Sequence, residues 1–309
     1  MLVAYASTGA LIVSRAKRDG LELLLRTYAA TALSIVALSI VLLIFSRSGL
    51  HFAKSLVNLP LDGFSANRNA FAFQLLLAVC AVCAGRWQKS ELWLGFIFAG
   101  LMFAGSRAAL LGVIVVIALA LYVRAMPLRK ILAAVFLATA LFLVIDYGPD
   151  LFAYLYSIVL GQKFITVGEI TQVVVSPADD LRVQSLLGGW KMFASHPIIG
   201  AGLGAFMNQQ LRAGNALIIH STPLWILAEM GLIGFVIFAT PVVRIFLIEM
   251  TNIRNRDLAG NLLILIIAAF GVVSNAHEML YQRAFWLLLG AALACTQSST
   301  SSSSNRIQL

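Results

Sequence analysis

Three ionisable side chains stand where an apolar chain has least reason to keep them. Arg107 lies in Gly105-Ser106-Arg107-Ala108-Ala109, a tight break between two apolar runs. Arg182 follows Asp179-Asp180 in a polar stretch, and His220 precedes Ser221-Thr222-Pro223. A guanidinium pairs with phosphate oxygens in a planar fork, and an imidazole, with an ordinary pKa of about 6.5, can take a proton at neutral pH. Anion binding and proton abstraction are therefore the chemistry this set could do. Each residue also has an ordinary reading. Arg107 could snorkel from a turn, Arg182 could pair with the two aspartates, and His220 could simply start a helix.

The elements that must position these residues are read from hydropathy. Hydrophobic residues make up 61% of the chain, charged residues 11%, and the mean hydropathy is +0.92. No soluble core of this length could hide that much apolar surface. The apolar runs are continuous, as in Ala108 to Val123 and Ile131 to Ile145, which excludes the alternating strands of a membrane β-barrel. The expected fold is all-α: a polytopic helical membrane protein with about nine hydrophobic helices, at 1 to 14, 24 to 46, 69 to 85, 90 to 105, 108 to 123, 130 to 147, 223 to 246, 259 to 275 and 283 to 295.

Residues 1 to 297 form one integral membrane domain, interrupted by a polar interlude at 149 to 222 that holds Arg182 and His220. A connection far longer than the usual 4 to 6 or so residues is expected to build a surface with a use. Within it Val183, Leu186, Leu187, Trp190 and Phe193 repeat at helical spacing and mark an amphipathic helix. Asp179 or Asp180 would cap it, placing Arg182 in its first turn. Glycines 200, 202 and 204 follow no strand, so they read as a turn that allows close helix approach rather than as a nucleotide loop.

The formal charge of +9 needs no nucleic acid to explain it. The clusters Arg15-Lys17-Arg18, Arg86-Lys89, Arg124-Arg129-Lys130 and Arg254-Arg256 fall on alternate connections. The positive-inside rule puts that side in the cytoplasm and turns the long interlude outward, into the periplasm or the cell exterior. Cys80 and Cys83 lie inside an apolar helix without a second pair and read as packing residues. No cleavable signal is evident at the N terminus, and residues 298 to 309, rich in serine, are expected to form a disordered tail.

The ordered motifs resemble the O-antigen ligase and polymerase superfamily. The matching residues are Gly63-Phe64-Ser65-Ala66-Asn67-Arg68-Asn69, then Gly105-Ser106-Arg107-Ala108-Ala109, then Arg182, Trp190 and His196-Pro197-Ile198-Ile199-Gly200-Ala201-Gly202-Leu203-Gly204-Ala205-Phe206. His220 and Leu224-Trp225-Ile226-Leu227-Ala228-Glu229-Met230-Gly231-Leu232-Ile233-Gly234 complete the set. The resemblance implies a metal-independent glycosyltransferase without a cofactor, acting on an undecaprenyl-pyrophosphate-linked glycan donor at the outer membrane face. Its acceptor would be another glycan or lipid A core. His220, Arg182 and Arg107 are the residues it marks as catalytic, with Trp190, Lys191 and Arg212 as further substrate contacts. The chain departs from the family in two respects. Ser221 follows the histidine where asparagine is usual, and fewer helices precede the motifs, which suits a natural short form or a truncated frame equally. The rival reading is a transporter or non-catalytic export component, which would show internal repeats and broken helices with mid-membrane charge.

Overall fold

A computed structural model of the chain describes residues 2–14, 17–47, 61–63, 65, 67–159, 177–215, 217–251 and 257–304. These form eleven helices and no strand among the described residues: α1 (Leu2–Ser14), α2 (Lys17–Arg47), α3 (Arg68–Gly85), α4 (Ser90–Ala104), α5 (Arg107–Tyr122), α6 (Leu128–Val159), α7 (Pro177–Ser195), α8 (Ala205–Arg212), α9 (Thr222–Thr251), α10 (Leu258–Val273) and α11 (Arg283–Ser304). Every apolar run becomes a helix. The two additional helices, α7 and α8, lie in the polar interlude.

Local chemistry sets several boundaries. Asn67 caps α3 by accepting from the amides of Asn69 at 2.9 Å and Ala70 at 3.2 Å, and Asp257 caps α10 through the Gly260 amide at 2.9 Å. Gly105 closes α4 in the left-handed region at φ 61°, which a glycine adopts without steric cost. Three boundaries differ from those the sequence suggests. α6 does not end near residue 147 but continues to Val159, because Gly148-Pro149 forfeits one backbone hydrogen bond without ending the apolar pattern. α11 likewise continues into the serine-rich segment as far as Ser304, since serine costs a helix only about 0.5 kcal/mol per residue. α7 starts at Pro177, a residue pre-organised for the first helical position, so Asp179 and Asp180 lie inside its first turn instead of capping it.

α3 and α10 form the centre. α3 is buried on nearly all sides by α2, α4, α5 and α10, and α10 by α3, α5, α9 and α11. Helices apolar all round need such a place or a lipid one. The outer faces of α5, α6 and α9 leave Leu111, Ile114, Phe136, Val144, Ile237 and Leu247 exposed, a belt of the kind that meets lipid rather than water. Four helical segments, Arg18–Ser46, Arg68–Gly85, Leu128–Asp146 and Thr222–Thr251, are long and apolar enough to cross a membrane, and five shorter apolar helices accompany them.

The two ends of the bundle differ chemically. At one, the basic connections converge: Arg86 Nη2 donates to the Arg124 carbonyl at 2.9 Å, and Lys130 Nζ donates to the Trp87 carbonyl at 3.2 Å and lies 3.5 Å from Glu91. Two of the four clusters that alternation puts on one side, those at Arg86 and at Arg124 to Lys130, thus meet in space; Arg15, Arg254 and Arg256 lie outside the described residues. The opposite end gathers the starts of α3, α5 and α9 and the end of α10. Thr222, the first residue of α9, bonds to Ser274 just past α10; Arg68, the first residue of α3, is near enough to His277 to act on it; and a methyl group at Gly112, in the second turn of α5, would meet Val273 at the end of α10.

Candidate active site

The site at that second end is built around a break in α9. Gly231 has φ 67° and ψ −169°, outside any helical conformation. In an unbroken helix the amides of Leu232 and Ile233 would bind the carbonyls of Ala228 and Glu229. Here the loop 197–202 separates them and takes both pairs. The amides of Leu232 and Ile233 donate to the carbonyls of Pro197 (2.9 Å) and Ile198 (3.1 Å). The amides of Ala201 and Gly202 donate to the carbonyls of Ala228 (3.0 Å) and Glu229 (2.9 Å). These four backbone groups at the break are satisfied by the loop. The part beyond the break, residues 232–251, is by itself as long as the roughly 20 residues a bilayer core requires.

Glu229 fastens the same loop with its side chain. It is 3% exposed, and its carboxylate accepts from the amide of Gly204 at 2.8 Å and of Phe206 at 3.4 Å. Gly204 is the N-cap of α8, so this buried acid supplies from another helix the negative charge that a helix start favours. The stretches His196 to Phe206 and Glu229 to Gly234, separate motifs in the sequence, are two halves of one joint.

Above the joint lie the ionisable groups. Arg182, on α7, has Nη2 3.5 Å from His277 Nδ1, the outer limit of a hydrogen bond. His220 Nδ1 lies 3.2 Å from Glu278 Oε2. Thus Arg182 and His220, 38 residues apart, are both bound to one pair of adjacent residues in the turn between α10 and α11. That turn is held by Thr222, whose amide donates to Ser274 at 2.8 Å, whose hydroxyl donates to the His277 carbonyl at 2.9 Å, and which accepts from the Met279 amide at 2.7 Å.

Burial and the Arg182 guanidinium together depress His277 to a pKa of about 4, so its ring is neutral at ordinary pH, and Arg68 at the start of α3 is near enough to add to the effect. Burial raises Glu278, but hydrogen bonds, first that of His220, outweigh it and hold the carboxyl below its usual range. Glu278 is ionised.

The remaining expected residues are more dispersed. Arg107 begins α5 at this end of the bundle with its side chain exposed. Trp190 is 57% exposed and packs against Phe193 with ring centroids 5.6 Å apart. Lys191 lies on a separate polar groove that it shares with His196, Gln209 and Gln210, and Arg212 is exposed at the end of α8. His277 and Glu278 had no place among the sequence candidates. The only local signal was two adjacent ionisable residues in a short connection between apolar helices.

Two cavities adjoin the charged group. One, of 340 Å³, is lined by Phe206, Ile219, Trp225, Glu229, Glu278 and Tyr281. The other, of 310 Å³, is an almost wholly apolar groove between α9 and α10 that starts at Thr222 and Ser274 and continues along Phe238, Val242 and Phe246.

A helical membrane protein with a charged site at one bundle end, sealed by a loop threaded into a broken helix, is the class that these features define. A sequence model of the O-antigen ligase family matches residues 92–239, from α4 to the middle of α9. A search of curated proteins finds no match.

Proposed function

We propose that the protein transfers or polymerises a glycan carried on undecaprenyl pyrophosphate at the outer face of the bacterial cytoplasmic membrane. The observation that carries this reading is the fixed bridge from Arg182 to His220 through His277 and Glu278, at the head of an apolar groove. The match to the O-antigen ligase family model supports membrane glycan transfer in general. The groove and the charges agree with a lipid-linked substrate: an apolar slot fits a polyprenyl tail, and Arg182, joined through His277 to Thr222 at the head of the slot, fits a pyrophosphate.

In this mechanism Arg182 and Arg107 bind the pyrophosphate and stabilise the charge that develops as it leaves. An acceptor hydroxyl attacks the anomeric carbon and its proton passes to His220. The bond from that carbon to the pyrophosphate oxygen breaks, and its electron pair departs with undecaprenyl pyrophosphate. General-base assistance of this kind contributes about 100-fold to 10,000-fold. Trp190, Lys191 and Arg212 line the approach for sugars. The acceptor is another glycan or lipid A core.

A transporter would use a broken helix to line a pathway. The break at Gly231 is filled by the protein's own loop, and the charges lie at one end, which favours transfer over transport. The test is glycan transfer from a synthetic undecaprenyl-pyrophosphate donor by reconstituted protein. Wild type should release undecaprenyl pyrophosphate, and Arg182→Ala and His220→Ala should each lose at least about 100-fold in rate. Wild type that binds donor without turnover, or a His220→Ala variant that matches it, would overturn the assignment.

A further inference from the structure

We propose that Glu278 is the positioning residue that orients His220, and that its neighbour His277 locks this base at a fixed place relative to Arg182. The inference rests on the reading of His220 as the base. That reading leaves a question the sequence sharpens, since the position after the histidine is Ser221 rather than the asparagine usual in the family. Glu278, 58 residues away in the chain, fills the need.

The chemistry follows from the atoms. An ionised carboxylate only accepts hydrogen bonds, so the 3.2 Å contact with Glu278 Oε2 requires His220 Nδ1 to carry the proton. The Nε2 lone pair is then the one free to receive an acceptor's proton, and the ring cannot rotate away without losing its partner. A guanidinium only donates, so at 3.5 Å from Arg182 it is His277 Nδ1 that accepts, which a neutral ring can do.

The frame is short and closed. Thr222, two residues after His220, bonds to the backbone on both sides of Glu278, at the His277 carbonyl and the Met279 amide, so the base and its carboxylate are held by one threonine. The charged or titratable groups around His220 are Glu278 and His277 in the turn and, acting on that turn, Arg182 from α7 and Arg68 from α3; Tyr281 and Glu229 share the cavity of Glu278, Glu229 being bound to the amides of Gly204 and Phe206. The two cationic groups act on His277, and the Glu278 carboxylate faces His220. This division lets an anion site and a proton acceptor work side by side.

The first measurement needs no variant. In ¹⁵N-histidine-labelled wild-type protein in nanodiscs, His220 should be the Nδ1–H tautomer, and an Nε2–H tautomer would overturn the proposal. The second compares kinetics in the reconstituted transfer assay. Glu278→Gln should lower kcat by about 100-fold while the donor KM changes little, and should move the acid limb of the kcat/KM profile to lower pH, because the charge that favours the imidazolium is gone. Glu278→Asp should restore part of the rate. A Glu278→Gln enzyme with wild-type kcat and an unmoved acid limb would refute the role. His220→Gln separates the two ideas: if it retains turnover, the base assignment fails whatever Glu278 does.

Discussion

Gly200 and Gly231 meet backbone to backbone, both at positive φ (75° and 67°), and a side chain on either would strike the other's strand of the joint. A methyl group at Gly231 would overlap the Ile198 carbonyl and the Gly200 amide, and one at Gly200 would overlap Glu229 and Met230. Gly200→Ala and Gly231→Ala are therefore each expected to destabilise by about 2–4 kcal/mol, from left-handed strain and overlap together. Thermal unfolding in detergent, with Gly202→Ala as comparison, checks this. A methyl group at Gly202 meets open space, so that variant should carry backbone strain alone and lose less.

Glu229 is held by geometry rather than by the chemistry of transfer. Glu229→Gln presents an amide nitrogen to a backbone donor on one side, leaving a buried N–H without an acceptor at a cost of about 1–3 kcal/mol. Stability should fall by that amount. Hydrogen exchange should speed up at Gly204 and Phe206 while the remote Lys130 cluster keeps its protection.

Acid should loosen the turn that holds the base. His277 binds a proton near pH 6.5 when unfolded and only near 4 when folded, so between those values the unfolded chain holds more protons. The contribution of His277 to stability is flat above about pH 6.5 and declines as the pH falls toward 4. Glu278, also depressed, pushes in the same direction at the acid end. In a pH series of melting temperatures, His277→Gln should decline less than wild type across this window. Equal declines would show that the ring is not held neutral.

The apolar groove makes a separate prediction about the donor's tail. Ala239 lies on its wall, and Ala239→Trp would fill the slot between α9 and α10. The KM for a full-length polyprenyl donor should rise by about 10-fold or more, the worth of a few buried methylenes, while a short-chain donor analogue should be nearly unaffected. Equal effects on both donors would place the tail elsewhere.

Much of the fold was legible because lipid imposes a simple rule: each long apolar run must close its own hydrogen bonds as a helix. The basic connections also announced their common end, and Arg86, Arg124 and Lys130 do meet there. Arg182 and His220 stood out because charge is rare in this chain. Their partners did not, because no periodicity links residue 182 to 277 or 220 to 278. The helical extension to Val159 was hidden by Gly148-Pro149, a pair that usually stops a helix. The role of Glu229 was hidden too, since a helix-capping acid is normally sought just ahead of the helix it caps.

The threaded joint also bears on how this surface can vary. It is made from amides and carbonyls, which every residue except proline carries alike. Ile198, Ile199 and Leu203 point outward from it, at 64%, 74% and 76% exposure. Apart from its glycines and Glu229, the loop is attached without regard to what its side chains are. The outward positions are free to drift, and with them whatever the loop touches, while the loop stays fastened to the membrane helix beneath it.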